Sequence, residues 1–247
     1  METTRLTHSM MTRSGPGRQQ TMELNRPLWS DRASAGEALA DRLADLHGRA
    51  DAVTLVALPR GGIPVAAVVA RQLQLPLVTW SVRKLGHPLN PEYAIGAVAP
   101  GGVELWDAQA RRAAGLDPRQ ERELLIAQER ELSRRQQLFA DPDGRQLQGR
   151  QLVVIDDGVA TGLTVRAALI SLREHAPASL CLAVPVLDRQ LLTDLRPLVE
   201  RLEVLALVHP LGAVGEWYAV FDQPDDRAVL RILEQARQPL ANPEQGD

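Results

Sequence analysis

The chain reads as an α/β domain whose mostly parallel sheet is flanked by helices. Short apolar, β-branched runs alternate with helix-length segments along most of its length. Two of those runs end in glycine-bearing loops that open straight into a helix, the place where ligands sit in open α/β sheets. At 247 residues the chain can bury a full core, so one domain with extensions is the natural architecture.

Residues 1–27 are polar, rich in Thr, Arg and Gln, and carry Gly15-Pro16-Gly17, which reads as a disordered segment. Met10, Met11 and Met22 inside it are candidate translation starts. The domain is expected over 28–238 and a flexible tail over 239–247. Ser34, followed by Glu37, suits an N-cap, with Leu39, Leu43 and Leu46 on one face of the ensuing helix. Ala52 to Leu58 is a buried parallel strand and Ile63 to Leu73 the helix after it. Pro76 to Val82 and the shorter Ala94 to Val98 are further strands. Strands recur at 151–156, 179–186 and 203–208, with helices at 163–175, 188–201 and 224–237. Continuous alternation implies helices on both sheet faces.

An inserted segment, 107–140, breaks that rhythm. Asp117-Pro118 makes a helix start, and the mixed-charge stretch after it carries Leu125, Leu132 and Phe139 at intervals of seven. Two readings remain open: a surface helix laid on the domain, or a contact for a homodimer.

A net charge of -3 and a pI near 6.0 argue against a nucleic-acid partner. Cys181 is the one cysteine, so no intrachain disulfide or cysteine metal site exists, and its apolar run makes it a packing residue. No stretch approaches eighteen uninterrupted apolar residues and no hydrophobic signal core is present, so no membrane association and a cytoplasmic location are expected.

The chemistry concentrates in Val153-Val154-Ile155-Asp156-Asp157-Gly158-Val159-Ala160-Thr161-Gly162-Leu163-Thr164. The amides of Ala160, Thr161, Gly162, Leu163 and Thr164 lie at a helix N-terminus, unpaired and partly positive, where an anion binds. Asp156 and Asp157 repel phosphate; adjacent carboxylates suit the two hydroxyls of a ribose, or a hydrated magnesium ion. A P-loop would need Lys after Gly162 and a dinucleotide site Gly-x-Gly-x-x-Gly; neither is present.

This stretch resembles the 5-phosphoribosyl-1-pyrophosphate (PRPP) signature of type I phosphoribosyltransferases. The resemblance implies that Asp156 and Asp157 hold the ribose hydroxyls and that Ala160 to Thr164 hold the 5′-phosphate. Leu58-Pro59-Arg60-Gly61-Gly62 resembles the family's pyrophosphate loop, with Arg60, Gly61 and Gly62 as its residues and a cis Pro59–Arg60 peptide implied. Arg83 and Lys84 leave a strand and enter a loop broken by Gly86, Pro88 and Pro91, similar to the family's mobile catalytic loop; both are assigned to pyrophosphate as catalytic residues beside Asp156 and Asp157.

From about Trp29 to Gln235 the chain resembles a bacterial group of phosphoribosyltransferases known mainly by sequence. The implied reaction moves a phosphoribosyl group from PRPP to a nitrogenous base, with Mg2+ held mainly by substrate and no dedicated protein cage. A PRPP-binding regulator without turnover, or a hydrolase, are the alternatives. Family members acting on 6-oxopurines usually carry Asp where Ala160 stands, which weakens hypoxanthine, guanine and xanthine as acceptors. Gly215 to Phe221 gathers Trp217, Tyr218 and Phe221 in a chain only 3% aromatic, making Trp217 and Tyr218 candidates to stack on a base.

Overall fold

The computed structural model describes residues 26–237; readings of 1–25 and 238–247 fall outside it. Its centre is a parallel five-stranded sheet ordered β2-β1-β6-β7-β8, from Leu77–Thr79, Val53–Ala57, Gln151–Ile155, Ser179–Asp188 and Arg201–Val208. All five residues of β1 are buried, as a strand covered on both faces requires. Helices α1 (Arg32–Arg42), α2 (Gly62–Leu73) and α7 (Asp226–Arg237) contribute to the core on one face, where Leu39, Ile63, Val69 and Val229 meet Leu55 and Val153. On the other, α5 (Leu163–Arg173) and the short α6 (Leu192–Leu195) pack Val165, Leu169 and Leu195 against Val56, Val154 and Leu182.

The second layer departs from the expected alternation. Residues 83–106 form a separate antiparallel sheet, β3-β4-β5, from Arg83–His87, Asn90–Ala99 and Val103–Trp106. The strand placed at Pro76–Val82 shrinks to Leu77–Thr79, and that at Ala94–Val98 is the inner part of a longer β4. Arg83 and Lys84 thus sit on a strand rather than a loop. The hairpin tolerates Gly86 and Pro91 through irregular register after Leu85.

Two local expectations also shift. Asp31, not Ser34, is the N-cap of α1: its carboxylate accepts from the Ser34 amide at 2.8 Å, and the Ser34 hydroxyl reciprocates as the third helical residue. The helix expected at 188–201 is broken into α6 between two 3₁₀ turns, with Pro197 in the second.

The inserted segment is two helices, α3 (Ala108–Ala114) and α4 (Pro118–Phe139), the latter capped by Asp117. Leu132 and Phe139 are buried, Leu132 with Leu85 and Ile95 of the antiparallel sheet and Phe139 in the main core. The apolar stripe therefore lays α4 on its own domain. Cys181 is buried, and burial pushes its thiol up to about 12. Among the described residues no helix is long and apolar enough to cross a membrane.

Candidate functional site

Strand order reverses between β1 and β6, whose chain neighbours run to opposite sides of the sheet, and such a switch point leaves a crevice at the carboxyl ends. The two chemical loops leave from there side by side. Ala57 is in register with Ile155, and the Leu58 amide donates to the Ile155 carbonyl at 3.0 Å just beyond the pairing. Pro59–Arg60 is a cis peptide, as the resemblance implies.

Gly61 and Gly62 are where the loops touch. A Cβ on Gly61 would lie 2.2 Å from Asp157 Oδ2, and one on Gly62 2.5 Å from the Ile155 carbonyl oxygen. No side chain fits either gap.

Asp157 is deeply held. Arg32 Nε donates to its Oδ2 at 2.8 Å, and the Tyr218 hydroxyl donates to its carbonyl at 2.6 Å. Asp156 is half-buried, and its Oδ1 accepts from the Asp157 amide at 2.9 Å. Desolvation and the adjacent Asp157 charge hold the Asp156 carboxyl well above the usual carboxylate range. Asp157 is also raised by desolvation, with Arg32 pulling the other way.

Gly162 takes φ 75°, ψ -10° as the residue before α5, so the chain turns sharply into the helix. The first amides of α5 have no partner within the helix. Thr161 is exposed and Thr164 half-buried; Ala160 is partly covered, and Gly162 and Leu163 are buried.

A cleft of about 540 Å³ opens beside Pro59 and Arg60. Arg83, Lys84 and Thr164 line it with them, so the structure gathers residues of all three sequence motifs at one end of the sheet. Arg60 Nη1 lies 3.8 Å from Asp226 Oδ1, and Arg60 Nε is buried without a hydrogen-bond partner. Arg83 Nε donates to Gln128 Oε1 at 3.1 Å, and desolvation followed by the Arg135 charge lowers the Arg83 pKa.

One expectation is overturned. Trp217 is 3% and Tyr218 5% exposed, packed with Ala35, Val186, Ala206, Val208 and Leu211. Trp217 Nε1 donates to the Leu211 carbonyl at 3.0 Å, and Tyr218 stacks obliquely on Trp29 and Phe221. Both rings fill the core beneath the C-terminal segment and present no open face to a base.

Sequence reasoning passed over Arg32, Gln128 and Arg135. Arg32 sits 125 residues before Asp157, in the first turn of a surface-patterned helix. Gln128 and Arg135 lie in a mixed-charge helix whose polar residues look alike in one dimension. The available signal was the apolar stripe, which fixes the faces that α4 can turn toward the cleft. Among the described residues no group of three or more His, Cys, Asp or Glu is gathered around one point.

Known proteins share the sequence and fold that carry these loops. A family model described as the phosphoribosyl transferase domain matches residues 32–199, which hold both chemical loops and the cationic strand. Two curated Mycobacterium tuberculosis proteins, Rv0571c of strain H37Rv and MT0597 of strain CDC 1551, carry names that assign them provisionally to the phosphoribosyl transferases. Each is 39% identical over 219 residues, 87% of this chain and 48% of its own. The chain thus spans about half the length of the curated relatives it matches. The crystal structure of TT1426 from Thermus thermophilus superposes with a TM-score of 0.63 at 34% identity, covering 84% of this chain and 98% of that one. With the switch-point loops, the acid pair and the family match on the same residues, the chain belongs to the phosphoribosyl transferase domain family.

Proposed function

We propose that the protein transfers the 5-phosphoribosyl group of PRPP to a nitrogenous base and releases pyrophosphate. The observation that carries this reading is the contact of the Arg60-Gly61-Gly62 loop with Asp156 and Asp157 across one sheet crevice. A ligand spanning both loops would be anionic at two ends and rich in hydroxyls between them.

In this reading Ala160 to Thr164 hold the 5′-phosphate on unpaired amides and two threonine hydroxyls. Asp156 accepts from a ribose hydroxyl directly, while Asp157, tied to Arg32, acts from beneath. Arg60, Arg83 and Lys84 stabilise the pyrophosphate as its bond to C1′ breaks and the electron pair leaves on oxygen. The acceptor nitrogen forms the new bond from the opposite side and gives up its proton to water. Holding both partners in line does most of the work.

Magnesium, when bound, would supply further neutralisation of the leaving group. Asp156 fits it, because its carboxylate is only half-buried at the crevice and an acidic oxygen donor there suits a hydrated ion. PRPP and free bases are small soluble metabolites, so a cytoplasmic setting in nucleotide metabolism goes with the reading.

The test is to incubate protein, PRPP and magnesium with a panel of bases and follow pyrophosphate. Release that depends on one base supports transfer. Release without any base replaces it with hydrolysis, and PRPP binding without release replaces it with a regulator.

A further inference from the structure

The cleft beside Arg60 has a wall that neither chemical loop supplies. Leu124, Gln128 and Arg135 of α4 line it beside the strand that carries Arg83 and Lys84, to which Arg83 ties Gln128. At 100° per residue these three fall within about 40° of one another, while Leu125, Leu132 and Phe139 centre roughly 60° away. The buried stripe thus fixes the rotation of α4, and that rotation turns Gln128 and Arg135 into the cleft.

We infer that Arg135 is a direct pyrophosphate ligand, making the inserted helix part of the PRPP site. This rests on the PRPP reading above. The cleft lining carries Arg60, Arg83, Lys84 and Arg135 and no Asp or Glu. Glu131 accepts from Arg135 Nε at 2.9 Å from outside that lining, which leaves the forked end of the guanidinium for a second acceptor. The Arg135 side chain is only 11% exposed, so its position is set by packing before any ligand arrives. Two neighbours are incompletely paired within the protein. Arg60 meets Asp226 only at 3.8 Å and its Nε is buried without a hydrogen-bond partner, while burial and then the Arg135 charge disfavour Arg83 as a cation. An anion with several oxygens, seated among these groups, can engage several guanidinium and ammonium ends at once; a single-charge carboxylate has fewer oxygens and less charge to share.

Calorimetric binding of magnesium pyrophosphate to the full chain tests this, with ribose 5-phosphate as a probe of the Ala160–Thr164 loop. Arg130 is exposed on the same helix and outside the cleft, so Arg130→Gln controls for the loss of charge alone. Arg135→Gln should weaken pyrophosphate about tenfold and Arg130→Gln less than about twofold, because a charge-assisted fork is lost only in the first. Arg135→Lys keeps the charge and should lose less than Arg135→Gln. It also covers the case in which the glutamine variant melts early. Ribose 5-phosphate should bind all of them equally. Equal losses in Arg135→Gln and Arg130→Gln, or a wild type that does not bind pyrophosphate, would overturn the inference. Base-dependent release by the wild type is scored separately. If it is absent while the Arg135 effect holds, the transfer reading falls and the pyrophosphate wall stands.

Discussion

Arg32 Nε and Asp157 Oδ2 meet at 2.8 Å in a pair whose side chains are 7% and 12% exposed. The same guanidinium donates to the Asp222 carbonyl at 2.8 Å and lies over the Phe221 ring, 3.7 Å from its centroid. One residue of α1 thereby joins the acid pair to the C-terminal segment. A buried pair adds little over an apolar replacement, but removing one partner strands a charge and costs about 3–5 kcal/mol. Arg32→Ala should therefore lower unfolding free energy by about 3 kcal/mol in urea titration, far more than an exposed arginine would. A loss below about 1 kcal/mol would mean that solvent already reaches Asp157.

The acid pair should not respond symmetrically. Asp157 is bound to Arg32, overlaid by Gly61 and fixed through its carbonyl by Tyr218, so Asp157→Asn acts on stability as well as affinity. Asp156→Asn should leave the fold intact and remove most PRPP affinity, a difference that calorimetry and thermal melts of the two variants read directly.

The pH dependence follows from the direction of the Asp156 shift. Its folded pKa is raised, so across the window from the unfolded value to the folded one the native state holds the extra proton. That acid's contribution is present at low pH and lost as pH rises through the folded pKa. Glu131, held at about 2 chiefly by its hydrogen bond with Arg134, works in the opposite sense at the acid end. Comparing melting temperatures of wild type and Asp156→Asn isolates the effect. The variant should gain on the wild type as pH rises, and a pH-independent difference would remove Asp156 as the source. Magnesium PRPP, which needs the carboxylate, should stabilise the wild type more at the high end.

How far the site was legible follows the range of each signal. Strand-to-loop-to-helix transitions at Leu58–Ile63 and Ile155–Val165 are local, and a buried parallel strand leaves a continuous apolar run that the eye can bound. Register then does the rest, because β1 and β6 are neighbours and their loops must meet. The antiparallel hairpin was missed because Gly86, Pro88 and Pro91 look like loop punctuation, whereas the irregular register after Leu85 accommodates the first and last. Trp217 and Tyr218 were misplaced for another reason. An aromatic cluster carries no sign of which side faces solvent, and only the partners Leu211 and Asp157, distant or backbone-borne, decide it.

Gly61 offers a test of contact between the two loops. An alanine there would put Cβ 2.2 Å from Asp157 Oδ2, in backbone of φ -63° that alanine otherwise tolerates. The clash must push Asp157 off Arg32 or the loop off the crevice, and overpacking of this kind costs about 1–3 kcal/mol. Gly61→Ala should lower the melting temperature and weaken both pyrophosphate and ribose 5-phosphate. A variant that lost pyrophosphate alone would show that the loop moves and Asp157 stays.

The aromatic segment gives the last prediction. Trp217 is buried with Arg26 stacked 4.2 Å above its ring, so Trp217→Ala removes a large core side chain and should cost about 3–5 kcal/mol. Tyr218→Phe removes only the hydroxyl, but leaves the Asp157 carbonyl without its 2.6 Å donor, at a cost of about 1–3 kcal/mol. Because that carbonyl belongs to the acid pair, Tyr218→Phe should raise the KM for PRPP. The KM for the acceptor should change less. Trp217→Ala should change neither KM at temperatures where it remains folded. If Trp217→Ala instead kept wild-type stability and raised the acceptor KM about tenfold, as loss of a stacking platform does, the ring would face the base after all.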